Sequence, residues 1–201
     1  MITIVDYGMG NLGSIKNMLK KVGAACEITG DPGQILNAEK LILPGVGAFD
    51  SAMQLINSSG LREVLNKKAL EEKVPILGIC LGMQLLTSSS EEGVLPGLDW
   101  IEAETRRFSR DTKLKIPHMG WNITRNLNQS PLTANFTHEF RFYFVHSYHV
   151  RVKDEKHSIL KTSYGIEFDS AIQKDNIFGV QFHPEKSHRY GMTLLKNFSQ
   201  L

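Results

Sequence analysis

Short apolar segments recur at regular intervals along the first half of the chain. Ile2–Asp6, Lys40–Leu43 and Val74–Ile79 are continuous apolar runs rich in β-branched residues, a pattern typical of buried strands, and Ala25–Thr29 is a weaker candidate. Amphipathic segments separate them. This alternation predicts βαβ units and a largely parallel sheet, in which the turns after the strands share one edge.

The intervening segments have helical periodicity. We expect Ser14 to cap a helix that runs to Lys21, and Asp50–Asn57 to form a second helix. Residues 60–72 predict a third helix. Its apolar face would contain Leu61, Val64, Leu65 and Leu70.

The pattern changes from about Trp100 onward, where short alternating segments predict antiparallel strands and hairpins. The expected fold is therefore α/β: a three-layer, flavodoxin-like arrangement with a mixed, mostly parallel sheet, helices on both faces and antiparallel additions in the C-terminal half. No linker interrupts residues 1–201, which predicts a single domain. The predicted elements are strands over Trp100–Arg107, Asn122–Arg125, Phe140–Val152, Ser158–Lys161, Tyr164–Gln173 and Ile177–Gln181, and a helix over Gly191–Ser199.

Composition excludes several classes of protein. The chain has 201 residues and a formal charge of +2, so no strong attraction to nucleic acid or to an anionic membrane is expected. Its two cysteines, Cys26 and Cys80, are too few for a disulfide framework and suit a reducing cytoplasm. Neither a signal peptide nor a run of about 20 apolar residues is visible.

The strongest chemical signal is the segment Val74–Thr87. An apolar strand leads into Gly78-Ile79-Cys80-Leu81-Gly82, and helix formers follow. This is the cysteine version of the nucleophile elbow, in which flanking glycines make room for a strained turn. The start of the following helix favours a thiolate at Cys80. The plainer alternative is a buried structural cysteine.

A base and an oxyanion site are also predicted. His183 ends the apolar strand 177–182, and Glu185 lies two residues further on, where an extended backbone would let it orient the imidazole. Each residue alone could be an ordinary strand-end or turn residue. The loop 44–47, with sequence PGVG, follows a strand and could present N–H groups beside the elbow, with Leu81 N–H as a second donor.

Two other motifs are typical of other functions, namely dinucleotide binding and metal binding. Gly8, Gly10 and Gly13 form a G-x-G-x-x-G string, but the acidic residue near the required distance, Asp31, precedes Pro-Gly and looks like a turn, so dinucleotide binding is not favoured. His146 and His149 have metal-like spacing, but in one strand they would face opposite sides, so no metal site is expected. A non-catalytic Rossmann-like binding module remains the alternative to an enzyme.

Three motifs together resemble the class I, triad-type glutamine amidotransferases. They are the PGVG loop at 44–47, the elbow 78–84 and the segment 181–185, QFHPE. The segments 9–11, 117–122 and 144–148 resemble the branch formed by the glutaminase subunits of imidazole glycerol phosphate synthases, of the histidine pathway. The resemblance covers essentially the whole chain.

This resemblance implies a function and a set of site residues. Cys80 would attack the amide of L-glutamine, His183 would transfer protons and Glu185 would orient His183, without a cofactor. Ammonia would then pass to a separate (β/α)8-barrel cyclase subunit in a heterodimer. The resemblance also implies an oxyanion hole at Val46, Gly47 and Leu81, glutamine contacts at Gly45, Gln84, Glu92, Ser147 and Tyr148, and a partner-facing surface of Asn11, Met119, Trp121, Tyr143 and Lys186.

Two segments, 91–100 and 141–149, resemble instead a paralogous branch whose ammonia is used to make amidino sugars for surface polysaccharide or flagellin. That alternative changes the acceptor of the ammonia and leaves the glutaminase chemistry the same.

Overall fold

The computed structural model describes residues 1–109, 114–136 and 139–201, which form a sheet with helices packed against it. The helices are α1 (Leu12–Lys21), α2 (Pro32–Leu36), α3 (Phe49–Ser58), α4 (Leu61–Asn66), α5 (Leu81–Leu85) and α6 (His188–Ser199). The strands are β1 (Ile2–Val5), β2 (Cys26–Thr29), β3 (Lys40–Leu43), β4 (Ile76–Ile79), β5 (Ser89–Ser90), β6 (Ala103–Arg107), β7 (His118–Asn126), β8 (Phe140–His146), β9 (Tyr148–Val152), β10 (Ser158–Tyr164), β11 (Ile166–Lys174) and β12 (Ile177–Val180).

The sheet has a parallel part and an antiparallel part. The strands β2, β1, β3, β4 and β12 are parallel neighbours in that order. From β12 the sheet continues through β11, β10, β7 and β8 with antiparallel pairing, and β9 connects β11 to β6 and β5. The expected fold, a parallel sheet with antiparallel additions in the C-terminal half, is confirmed.

Helices cover both faces of the parallel part. Along β3, Leu41 and Leu43 belong to the core that contains α3 and α4, whereas Ile42 belongs to the core that contains α1 and α6. This alternation follows from the two-residue period of a strand and produces three layers. Among the described residues, no helix combines the length and apolar content that crossing a bilayer requires.

Two predictions for the N-terminal helices are wrong. α1 begins at Leu12, two residues before Ser14, and its N-cap is Asn11 without a side-chain hydrogen bond. The predicted helix 60–72 changes after Asn66 into a π-helical turn, Lys67–Glu71. Because the wider turn shifts the phase of the side chains, Leu70 is 51% exposed and Lys68 is buried, its ammonium bound to the Leu36 carbonyl.

The segment 140–152 is two strands, not one. Ser147 separates β8, which pairs with β7, from β9, which pairs with β6 and β11. The chain therefore turns a corner at Ser147 as it exchanges one neighbour for another. We call residues 145–148 the β8–β9 corner.

Candidate active site

Cys80 lies at the apex of a strained turn between β4 and α5. Its φ is 55° and its ψ is −109°, a conformation that non-glycine residues rarely adopt. A Cβ at Gly82 would lie 1.8 Å from the Leu43 carbonyl oxygen, and one at Gly78 would lie 2.6 Å from the Gly82 carbonyl oxygen. Glycine is therefore required on both sides, and the predicted elbow geometry is present.

His183 and Glu185 are hydrogen-bonded. His183 follows β12, the parallel neighbour of β4, and its Nδ1 lies 2.9 Å from Glu185 Oε1. The Glu185 side chain is only 1% exposed. The sequence predicted an extended backbone between them. That prediction is wrong, because Pro184–Lys186 forms a 3₁₀ turn. The turn nevertheless brings the carboxylate back to the ring.

The charges around His183 determine its protonation. Burial disfavours the charged ring, but the Cys80 sulfur and the Glu185 carboxylate outweigh burial and raise the pKa of His183 to about 10. The ring nitrogen Nε2 is buried and makes no standard hydrogen bond among the described residues, so it remains available for proton transfer. This arrangement suits a thiolate–imidazolium pair.

The PGVG loop packs directly beside the elbow. The Tyr7 hydroxyl donates a hydrogen bond of 2.6 Å to the Pro44 carbonyl, and a Cβ at Gly45 would lie 2.7 Å from that hydroxyl and 2.8 Å from Leu81 Cβ. Burial and the nearby Cys80 sulfur raise the pKa of Tyr7, so its hydroxyl remains a donor. The turns after β1, β3 and β4 thus meet in one crevice, as predicted.

One cavity of about 380 Å³ contains most of the predicted site residues. Gly45 and Glu185 are not among its lining residues, because Gly45 packs between Tyr7 and Leu81 and Glu185 binds the far side of His183. Pro117, Val145 and His146 also line the cavity, and none of the three was predicted to belong to the active site. The predicted residues that line it are Val46, Gly47, Cys80, Leu81, Gln84, Glu92, Ser147, Tyr148, His183 and Lys186.

Gln181 is a further polar residue beside the nucleophile. It is fully buried, and its Nε2 lies 3.8 Å from Cys80 Sγ. Its Oε1 accepts a hydrogen bond of 3.1 Å from Gln84 Nε2, which also lies 3.3 Å from the Tyr148 carbonyl oxygen. The sequence signal for Gln181 was its position at the start of the QFHPE segment.

Glu92 is held at the cavity by the start of α3. Its Oε2 accepts a hydrogen bond of 3.0 Å from Phe49 N–H, and burial raises the pKa of this carboxyl group. Asp50 binds the N–H groups of Val94 and Leu95 on the other side of Gly93. The loop that carries Glu92 is therefore fixed to the same helix that follows the PGVG loop.

Four of the five predicted partner-facing residues are exposed, and one of the four, Lys186, also lines this cavity. Met119 is 62% and Trp121 43% exposed, Asn11 is exposed, and Trp121 makes an edge contact of 6.3 Å with the Tyr143 ring. The Lys186 ammonium lies 5.7 Å from the centre of the same tyrosine ring.

The residues of the two other motifs make structural contacts. Asp31 Oδ1 accepts a hydrogen bond of 2.8 Å from Gln34 N–H and so caps α2. His146 and His149 lie on different strands and both contact Phe108, so the expectation that they face opposite sides is wrong. Within 1–109, 114–136 and 139–201, no group of His, Cys, Asp and Glu could hold a metal ion.

Known proteins match the whole chain. The family model described as "Glutamine amidotransferase class-I" matches residues 3–200. The "Imidazole glycerol phosphate synthase subunit HisH 2" of Methanococcus maripaludis is 57% identical over 98% of both chains, and the protein of the same name from Pseudomonas aeruginosa is 48% identical over the full length of both. A chain in the structure of PurLQS from Thermotoga maritima is 18% identical, with a TM-score of 0.76 over 98% of this chain and 96% of that one.

Proposed function

The chain belongs to the class I glutamine amidotransferase family, and we propose that it hydrolyses L-glutamine to glutamate and ammonia as the glutaminase subunit of an imidazole glycerol phosphate synthase. The observation that carries the proposal is the strained Cys80 in one cavity with His183, whose ring is bonded to the buried Glu185. Cysteine, histidine and carboxylate in this order form a nucleophile, a base and an orienting group.

The proposed reaction has two halves. The Cys80 thiolate attacks the side-chain amide carbon of glutamine, the C–N bond breaks, and His183 gives its proton to the departing nitrogen, which leaves as ammonia. A thioester remains on Cys80. His183 then takes a proton from water as the water oxygen attacks the thioester, and the C–S bond breaks to give glutamate, a thiolate and a protonated His183.

Backbone donors would stabilise the oxyanion of each half. Leu81 begins α5, so its N–H precedes the first intrahelical hydrogen bonds, which run from Met83 and Gln84 to the Cys80 carbonyl. Val46 and Gly47 also line the cavity, and we propose that their N–H groups supply the second donor. We propose that Gly45 keeps this loop close to the elbow and so contributes to glutamine binding indirectly.

The glutamine main-chain groups would bind at the wall of the cavity away from Cys80. We propose that the Glu92 carboxylate accepts hydrogen bonds from the substrate ammonium and that Gln84, Ser147 and Tyr148 complete the pocket. All four residues line the cavity.

The destination of the ammonia follows from the relatives, which are named as subunits of imidazole glycerol phosphate synthase. The amidino-sugar alternative is not favoured. We propose that the partner is a (β/α)8-barrel cyclase, that the two form a heterodimer in the cytoplasm, and that Asn11, Met119, Trp121, Tyr143 and Lys186 face it. Residues 1–201 would form one amidotransferase domain, which the family match over 3–200 supports.

Trapping with the glutamine-like electrophile diazo-oxo-norleucine tests this function. We expect covalent labelling of Cys80 in the presence of the synthase partner, prevented by excess glutamine. A Cys80→Ala variant with the same partner is the matched control. If Cys80 remains unmodified in the complete synthase, the proposal is wrong.

A further inference from the structure

A chain of hydrogen bonds through two buried histidines ends at the wall of the active site. Asn122 Nδ2 lies 3.1 Å from His118 Nε2, His118 Nδ1 lies 2.9 Å from His146 Nε2, and His146 Nδ1 lies 2.7 Å from the Tyr148 carbonyl oxygen. His118 and His146 are 2% and 6% exposed. The proposed mechanism does not use either ring.

The Tyr148 carbonyl oxygen, the last acceptor in this series of hydrogen bonds, determines which nitrogen of each histidine carries the proton. A carbonyl oxygen only accepts, so His146 Nδ1 must donate to Tyr148, and neutral His146 then accepts at Nε2. His118 must therefore donate from Nδ1 and accept at Nε2 from the Asn122 amide. That amide also donates to the Ser163 carbonyl, 2.9 Å away, which fixes its orientation.

The surroundings keep both rings neutral. The His118 ring is stacked between Phe144 and Tyr164, with centroid distances of 4.8 and 4.1 Å. Burial lowers the pKa of His118 to about 4 and that of His146 to about 3. Both rings therefore carry one proton each at neutral pH, on Nδ1.

The series of hydrogen bonds through His118 and His146 ends at the β8–β9 corner, which forms one wall of the cavity. The Tyr148 carbonyl accepts from His146 Nδ1 and lies 3.3 Å from Gln84 Nε2, so it connects the corner to the helix of the elbow. The carbonyl of Val145, at the other end of the corner, lies 4.0 Å from Cys80 Sγ. Ser147 is held between them by its carbonyl, which accepts from Phe108 N–H at 3.2 Å.

We propose that His146, held in its Nδ1–H form by His118 and Asn122, is a positioning residue for glutamine: it fixes the β8–β9 corner in the shape that binds the substrate. This inference rests on the proposed glutaminase function. The bond from His146 Nδ1 to the Tyr148 carbonyl is the link through which it acts.

Two substitutions of His146 test the roles of its two ring nitrogens separately. The amide nitrogen of His146→Asn replaces Nδ1 and can still donate to the Tyr148 carbonyl. The longer His146→Gln places its amide at the position of Nε2, which keeps the link to His118 and loses the one to Tyr148. A role in packing alone predicts a loss from His146→Asn, the smaller side chain, that is at least as large as the loss from His146→Gln.

The measurement is the rate at which iodoacetamide alkylates Cys80 in the complete synthase at increasing glutamine concentrations. The rate without glutamine measures the reactivity of Cys80 beside His183. The glutamine concentration that halves this rate measures glutamine affinity. We expect glutamine affinity within twofold of wild type for His146→Asn and about tenfold weaker for His146→Gln, as the loss of one hydrogen bond implies. Each half-protection concentration is compared with that variant's own rate without glutamine.

Equal losses of affinity in the two variants, no loss in either, or a larger loss in His146→Asn would overturn the proposal. If a variant fails to fold, ¹⁵N NMR of the wild-type histidines tests the proposal instead. Protons on Nδ1 of both His118 and His146 support the proposal, and a proton on Nε2 of His146 overturns it. Absence of glutamine protection in wild type would instead count against the glutaminase function.

Discussion

The charged form of His183 depends on two neighbours, Cys80 and Glu185. Burial by itself lowers the pKa of an imidazole, yet the pKa of His183 is raised to about 10, because the Cys80 sulfur and the Glu185 carboxylate both favour the protonated ring. A ring that is already protonated at neutral pH can supply the proton that the leaving ammonia needs.

An NMR pH titration of His183 tests this coupling. We expect a pKa near 10 in wild type and a lower pKa in Cys80→Ala, where burial is opposed by Glu185 alone. Since the wild-type pKa lies above about 6.5, the value in an unfolded chain, the pair stabilises the fold fully below that pH and progressively less as the pH rises toward 10. A pKa near 6.5 in both proteins would contradict the coupling.

Glu185 should contribute through charge as well as orientation. Glu185→Gln can still accept the hydrogen bond of 2.9 Å from His183 Nδ1 but cannot neutralise the imidazolium. We therefore expect kcat for glutamine hydrolysis to fall by about 10²–10⁴-fold, with a smaller change in KM. Glu167→Gln, at an exposed ion pair with Arg125, is the matched control and should leave kcat unchanged. Equal kcat values in the two variants would contradict this role.

At the scale of the element, the elbow depends on the close approach of α5 to β3. A methyl group at residue 82 would lie 1.8 Å from the Leu43 carbonyl oxygen, whereas one at Gly13, on the exposed side of α1, would meet nothing within 4 Å. The two glycines thus offer a matched comparison.

Gly82→Ala should lower the free energy of unfolding by at least about 3 kcal/mol, because the backbone of β3 cannot move without disrupting the sheet. Gly13→Ala should raise it by about 0.5–1 kcal/mol, as expected for a helical glycine. Urea denaturation measures both. A Gly82→Ala protein as stable as wild type would show that the elbow is not tightly packed.

The π-helical turn after α4 buries Lys68 and exposes Leu70, whereas the sequence pattern predicted that Leu70 would be buried. Lys68→Met leaves the Leu36 carbonyl without its donor and should cost about 1–3 kcal/mol of unfolding free energy. Leu70→Ala, at an exposed position, should change it by less than about 0.5 kcal/mol. Urea denaturation that shows a larger cost for Leu70→Ala would contradict the observed phase of this segment.

Most strand positions in the parallel sheet were predictable from sequence because β1, β3, β4 and β12 are short, largely apolar runs. β3 has the predicted bounds, and β4 lies within the predicted segment 74–79. The π turn was not predictable, since the same residues also fit a regular helix and the wider turn depends on the burial of Lys68 against α2. The corner at Ser147 depends on strand partners distant in sequence, so a local pattern could not show it.

The elbow could be predicted because its glycines are required by local geometry. Gln181, Tyr7 and His146 could not be assigned in the same way, since their contacts with Cys80, Pro44 and Tyr148 are contacts between segments. Periodicity finds the side of an element that is buried, and it does not identify which buried polar groups meet.

At the scale of the whole molecule, the parallel sheet brings distant segments to one cavity. Leu43 pairs with Gly78 and Val180 with Ile79, so the PGVG loop, the elbow and His183 follow neighbouring strand ends. The antiparallel half adds the β8–β9 corner, and His183 N–H binds the Tyr143 carbonyl at 2.9 Å, which connects the two halves. The exposed Trp121 and Met119 lie on β7, at the side where we expect the partner.

The central claim is that Cys80 releases ammonia from glutamine for use by a partner, and the nitrogen dependence of the complete synthase tests it most directly. In Cys80→Ala, whose elbow keeps both glycines, we predict that synthesis with glutamine falls to background while synthesis with added ammonia stays at the wild-type rate. Loss of both activities would show that Cys80 is structural. Retention of the glutamine-dependent activity would show that the nucleophile is another residue.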